Sequence, residues 1–150
     1  MPKTGKTLSY VEGDDGDLEM GVPWPDPRLT DNFDGTVRDN LTGLIWTKSA
    51  DLYGYTILSE ALAFCSSLDE GGYTDWRLPN VRELQSLVDY GQPRPMLPAG
   101  HPFTELGIGD RWYFWSSTTN GVESAFCISF ENGFMWSLGG GNVWCVRGGN

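Results

Sequence analysis

An α+β domain is what this sequence predicts, on three observations. Two segments of its middle third carry apolar residues at helical spacing: Leu58, Ala61, Leu62, Cys65 and Leu68, then Val81, Leu84, Leu87 and Val88. The last third alternates instead, as in SAFCISFENGFMWS, where strand formers flank a Glu131-Asn132-Gly133 turn. The 20 glycines and nine prolines separate these segments by turns and irregular stretches. A length of 150 residues suits one domain with a real core, and seven tryptophans argue that it folds.

Taken in order, residues 1–30 read as an extended lead-in, acidic at first and then PWPDP, whose prolines forbid a helix. Strands are expected over 36–39 and 44–48, flanked by turns at Asp34-Gly35 and at 40–43. Asp31, Asp34 and Asp39 read as turn formers rather than calcium ligands. With Gly35 as the sixth residue of an EF-hand loop, Thr30 and Leu41 would stand where carboxylates are needed.

The first helix is expected to start after Thr56 as N-cap and to end at Gly71-Gly72, with Cys65 facing inward. In YTDWRLPNVRELQSLVDYG, Pro79 keeps Leu78 out of the helical region. Asn80 then caps a second helix, Glu83 completes a capping box, and Gly91 marks the stop. Trp76 and Leu78 read as core anchors. Arg77 reads either as a hydrogen-bonded pin, the favoured choice, or as a solvated side chain.

Four prolines make 92–111 irregular, which suits a binding loop. His101 lies there without a nucleophile or carboxylate spaced to use it as a base. In the C-terminal hairpin Phe126, Ile128 and Phe130 are expected on the core face, and Ala125, Cys127 and Ser129 on the other. Gly139, Gly140 and Gly141 read as a flexible tip before a closing strand in NVWCVRGG.

Charge and composition exclude several functions. Ten Lys/Arg against 20 Asp/Glu give a net charge of −10, which repels phosphate backbones, so nucleic acid is not an expected partner. No apolar run approaches the roughly 18 residues of a membrane span, so insertion is not expected. The first residues, MPKTGKTLSYVEGDDGD, contain no apolar core of a signal peptide. Three cysteines allow one disulfide and leave an odd thiol. Their spacing matches no zinc pattern, and the single histidine cannot complete one. No metal, cofactor or catalytic site is expected.

Five stretches in order, DGTVRDNLTGLIWTK, GYTDWRLPNVRELQSLVD, YFWSSTT, ISFENG and VWCVRGG, resemble the bacterial and phage family named after the C-terminal domain of the Legionella collagen-like protein. The lead-in PKTGKTLSYVEGDDGDLEMGVPWPDPR also resembles that of many members. The resemblance implies a C-type lectin-like fold: two helices, a small twisted antiparallel sheet joining both termini, and long irregular loops. It further implies a Cys65–Cys145 bridge, with a loop contribution of roughly 4–5 kcal/mol. Cys127 is then a sheet-face thiol, a liability outside the cell.

The fold's best-known activities do not carry over. The tripeptides of calcium-dependent sugar binding, Glu-Pro-Asn or Gln-Pro-Asp with Trp-Asn-Asp, are absent, as is an identifiable cysteine pair of the formylglycine-generating relatives. The family's namesake binds sulfated polysaccharide, but the acidic charge here argues against that preference and leaves a neutral glycan or a protein as ligand.

The resemblance places recognition on the C-terminal face: Asn120, Glu123, Ser124 and Ser129, then Phe134, Trp136, Ser137, Leu138, Gly139, Gly140, Gly141 and Asn142. Phe134, Trp136 and Leu138 share one face by alternation. They either pack inward or form an exposed aromatic patch, and both readings stand. Some C-type lectin-like proteins are targets of diversity-generating retroelements that rewrite adenines in such a segment. Residues 137–142 and Cys127 are reachable from Asn-type codons, whereas Met135, Trp136 and Trp144 are not. The expected protein is therefore a non-enzymatic recognition module on a virion or cell surface, diversified in that way; the alternative is an adhesin domain of fixed sequence that binds a glycan. Homo-oligomers are also implied. The missing leader and the disulfide point to opposite compartments.

Overall fold

The computed structural model describes residues 1–107, 109 and 112–149, so the loop expectation at Ile108, Asp110 and Arg111 lies outside the described residues, as does Asn150. Among the described residues two antiparallel sheets and three short helices make up an α+β fold. The first sheet runs β1 (Leu29–Asp31), β2 (Thr36–Asp39), β3 (Ile45–Thr47), β7 (Val146–Arg147), and so returns the C-terminal strand to the N-terminal half. The second runs β4 (Tyr113–Gly121), β5 (Ser124–Ser129), β6 (Met135–Leu138).

The turn chemistry acts where local sequence requires it. Gly35 adopts φ +87°, and the Asp34 carboxylate accepts the Thr36 N–H at 3.0 Å, which turns the chain into β2. Between β2 and β3, Gly43 adopts φ +75° and donates to the Asp39 carbonyl at 2.8 Å.

Helix α3 (Val81–Ser86) carries the expected capping box. The Asn80 side chain accepts the Glu83 N–H at 2.9 Å, and Glu83 accepts the Asn80 N–H at 2.8 Å. It stops at Ser86, before Gly91, which is therefore not its terminator. Trp76 and Leu78 are buried as anchors. Arg77 is a pin with a partly exposed side chain: both ends of its guanidinium hold Glu83, at 2.6 and 2.8 Å, and Nη2 reaches the Gly148 carbonyl at 2.9 Å. Arg77→Ala is expected to lower unfolding free energy by about 1–2 kcal/mol in urea titrations, because the pair is bidentate yet solvated.

Four other local expectations fail. Residues 1–30 are not extended throughout, since Asp14 caps a one-turn helix α1 (Asp15–Leu18) through the Asp17 N–H. Helix α2 (Leu58–Ser67) is preceded by Ile57, not capped by Thr56, and it ends before Gly71-Gly72. The Thr56 backbone is instead paired with Gly141, and its hydroxyl donates to Glu60. Leu62 leaves the predicted stripe and is exposed, while Leu58, Ala61 and Cys65 are buried.

Both faces of the β4–β5–β6 sheet are covered at β5. Ile128 and Phe130 join the larger core with Phe114, Trp46 and Trp144. Ala125 and Cys127, expected on the open face, are fully buried with Trp115, Val143 and the inner side of α2. At the centre Trp144 lies 4.7 Å from Phe103 and 5.3 Å from both Trp46 and Phe114, between ring centroids, and its Nε1 donates to the Thr47 carbonyl at 2.9 Å. A Cys65–Cys145 disulfide, with Cα atoms 5.5 Å apart, ties α2 to the segment entering β7.

Candidate functional site

Strand register decides which residues can meet a ligand. Cys127 pairs with Trp136, Ala125 with Leu138, and Tyr113 with Ser129. Cross-strand partners project to the same side, so Tyr113, Trp136 and Leu138 share the Ala125–Cys127 face. The segment leading into α2 crosses this face because the Trp115 indole donates to the Thr56 carbonyl at 2.8 Å. Thr56 and Gly141 also exchange backbone hydrogen bonds, at 2.9 and 3.1 Å. Tyr55 is thereby held opposite β6. A groove of about 580 Å³ opens between them, lined by Tyr55, Tyr113, Trp136 and Leu138.

Trp136 is 44% exposed, and Phe134 and Met135 beside it are 60% and 52% exposed. Of the two readings for Phe134, Trp136 and Leu138, the outward one describes Phe134 and Trp136, while Leu138 is half-buried. Asn120, Ser124 and Ser137 form a separate polar cluster. The Asn120 amide donates to Ser137 Oγ at 2.6 Å, and Ser124 Oγ donates to Asn120 Oδ1 at 2.8 Å. By alternation Ser124 and Ser137 face away from the groove, so the predicted surface divides between two sides of the sheet.

Four predicted site residues are buried and are corrected here. Ser129 is fully buried, its hydroxyl accepting the Glu131 N–H at 3.3 Å. Asn142 is buried too, with its amide donating to the Tyr113 carbonyl at 3.0 Å. Gly140 and Gly141 are no flexible tip. A Cβ at Gly140 would stand 2.4 Å from the Tyr55 ring, and one at Gly141 would stand 3.3 Å from Trp115 and the Cys127 sulfur. Of the three glycines only Gly139 is exposed.

Glu123 is exposed in the β4–β5 turn at φ +52°, and its carboxylate accepts the Ser59 N–H at 3.4 Å. This supplies negative charge to the start of α2, which has no side-chain cap of its own. Cys127 is not a liability of the kind expected, because burial pushes its thiol up to about 12.

Sequence reasoning missed Tyr55 and Tyr113. The parity of Tyr113 with Trp115 was a usable signal for one. Nothing local signalled the other, because Tyr55 reaches the site through contacts of its segment with Gly140 and Gly141, far along the chain.

His101 is half-buried, its ring centroid 6.0 Å from that of Phe103, and burial lowers its pKa. A histidine whose folded pKa lies below its unfolded value binds its proton more readily when unfolded. Its contribution is therefore present above the unfolded value of about 6.5 and is lost as the pH falls through the folded pKa. Wild-type stability is expected to drop on acidification through this range, and His101→Phe to flatten the drop, as read from urea midpoints at stepped pH.

Among the described residues no group of His, Cys, Asp and Glu could hold a metal ion, and no helix is long and apolar enough to cross a membrane. No curated protein sequence matches the chain. Residues 35–147 match the family model of the Lcl C-terminal domain, a span running from β2 to β7 that leaves only α1 and β1 outside. With the greater part of its length matched, the chain belongs to the Legionella collagen-like protein C-terminal domain family.

Proposed function

We propose that this domain is a non-enzymatic recognition module of C-type lectin-like fold, which binds a protein or glycan on another surface through the open side of β6 and the groove beside it. The observation that carries the reading is the exposed Trp136 in the lining of an aromatic groove, with Phe134 exposed two residues before it. Large apolar side chains left outside a covered core mark interaction sites, and Trp is enriched among residues that dominate binding energy. The return of β7 to β3 and the α2-to-β7 disulfide support the fold reading. The disulfide also supports display outside the cell or on a virion. Weak single sites would gain avidity in a homo-oligomer.

Retroelement diversification, in this reading, is confined to exposed positions such as Ser137 and Gly139. Gly140, Gly141 and Asn142 are held by packing and backbone pairing. Population sequencing of the segment encoding 112–150 decides this point. Variation at Ser137 and Gly139 over a constant 140–145 supports it, and an invariant segment selects the adhesin of fixed sequence.

The binding test is capture from glycan arrays and displayed surface proteins at two salt concentrations. Trp136→Ala is expected to weaken capture at least tenfold while the domain stays folded, the partly buried ring costing about 1–2 kcal/mol of stability. Capture indifferent to Trp136, or a polyanion preference that collapses with salt, would count against the reading.

A further inference from the structure

Resting on that assignment of the recognition face, the chemistry of the groove narrows what enters it. Among the described residues its lining is three aromatic rings and a leucine, with no amide, carboxylate or basic side chain. A sugar or peptide backbone fixed there would find few convergent polar partners beyond two phenols and an indole. A quaternary ammonium group requires none, since it neither donates nor accepts a hydrogen bond. It requires π faces, which attract cations through the ring quadrupole, and Trp and Tyr are the strongest faces available.

The field points the same way. The chain carries a net charge of −10, and a negative protein raises the local concentration of a small cation. Among the described residues the cations that lie over rings lie over other ones: Lys6 over Tyr10, Arg28 over Trp24 and Arg147 over Tyr73. Among the described residues no ring is stacked on Tyr55, Tyr113 or Trp136, so their faces are not consumed by one another. The far wall is braced by backbone pairing. Tyr55 sits over Gly140, and Thr56 next to it is paired with Gly141.

We infer that the Tyr55–Tyr113–Trp136 groove is an aromatic cage for a quaternary ammonium group, the trimethylammonium found on choline and on trimethylated amines.

The test uses the intact domain, titrated with choline and with 3,3-dimethylbutan-1-ol, its neutral carbon isostere, by calorimetry and ligand-observed NMR. Saturable binding of choline is expected, with the isostere at least tenfold weaker, because only the charge separates them. Trp136→Ala should weaken choline about tenfold, whereas Tyr113→Phe, which keeps the ring, should leave it within about twofold. Higher salt should weaken it further. Equal binding of the two compounds, or no saturation by choline, overturns the cage.

The two readings fail separately. Capture of a surface ligand that depends on Trp136, without choline binding, sinks the cage and leaves the recognition face standing. Choline binding through Trp136, without any captured surface ligand, supports the cage and removes the macromolecular partner.

Discussion

Asp39→Ala is expected to lower the unfolding free energy by about 3–5 kcal/mol, the usual cost of removing one partner from a buried ion pair. The Arg28 and Asp39 side chains are 4% and 0% exposed. Arg28 Nε donates to Oδ1 at 2.8 Å and Nη2 to Oδ2 at 3.0 Å, while Nη2 also reaches the Ser86 carbonyl at 2.9 Å. The same carboxylate accepts the Leu41 N–H at 2.9 Å and the Thr42 hydroxyl at 2.8 Å. Alanine would thus strand a guanidinium under Trp24 and unpair two donors of the β2–β3 turn. Against a typical total of about 5–15 kcal/mol, one substitution would remove much of the margin.

Burial alone would push the Asp39 carboxyl up. The Arg28 hydrogen bonds and charge outweigh it and hold the group below its usual value. A carboxylate with a depressed folded pKa contributes stability above its unfolded value of about 3.9, and this contribution is lost as the pH falls through the folded pKa. Guanidinium midpoints at pH 7 and at stepped acid pH measure both effects. Arg28→Met combined with Asp39→Leu should recover part of the single-mutant loss, because no charge is left stranded although the Leu41 and Thr42 donors stay unpaired. A shift under about 1 kcal/mol for Asp39→Ala would mean that the pair opens to water in solution.

The parts of this fold that were legible in the sequence are those whose physics is local. The capping box of α3 lies within Asn80 to Glu83, and the Asp34-Gly35 turn within adjacent residues, so no distant contact can hide them. Alternation likewise showed which residues of β5 share a face. It could not show which face is covered, since both are: α3 and Trp144 lie over one, α2 and Trp115 over the other. The burial of Cys127 follows from that second cover.

Thr56 was the best N-cap residue near α2 by type, yet its backbone belongs to a bridge with Gly141, and Glu123 serves the helix start instead. The same bridge turned an expected glycine tip into the backing of the groove's Tyr55 wall. A tip and a wall have the same sequence; only the partner distinguishes them.

Removing the Cys65–Cys145 bridge is the second large effect. It closes a loop with a sequence separation of 80, for which chain entropy assigns about 4.5 kcal/mol to the unfolded state. Paired replacement, Cys65→Ala with Cys145→Ala, removes the link and also two sulfur atoms from a site where both residues are fully buried. Reduced wild-type protein loses the link alone. Equal losses near 4–5 kcal/mol in the two would assign the effect to the cross-link, and a larger loss in the double variant would measure the cavity. Cys127 makes the reduced arm readable. Its thiol is buried and held near 12, so a native-state alkylation pulse under mild reductant should leave it unlabelled. Labelling of Cys127 in parallel with Cys65 would show instead that reduction has already opened the α2 side of the sheet. The bridge would then be what keeps Trp115, and with it the wall carrying Tyr55, in place.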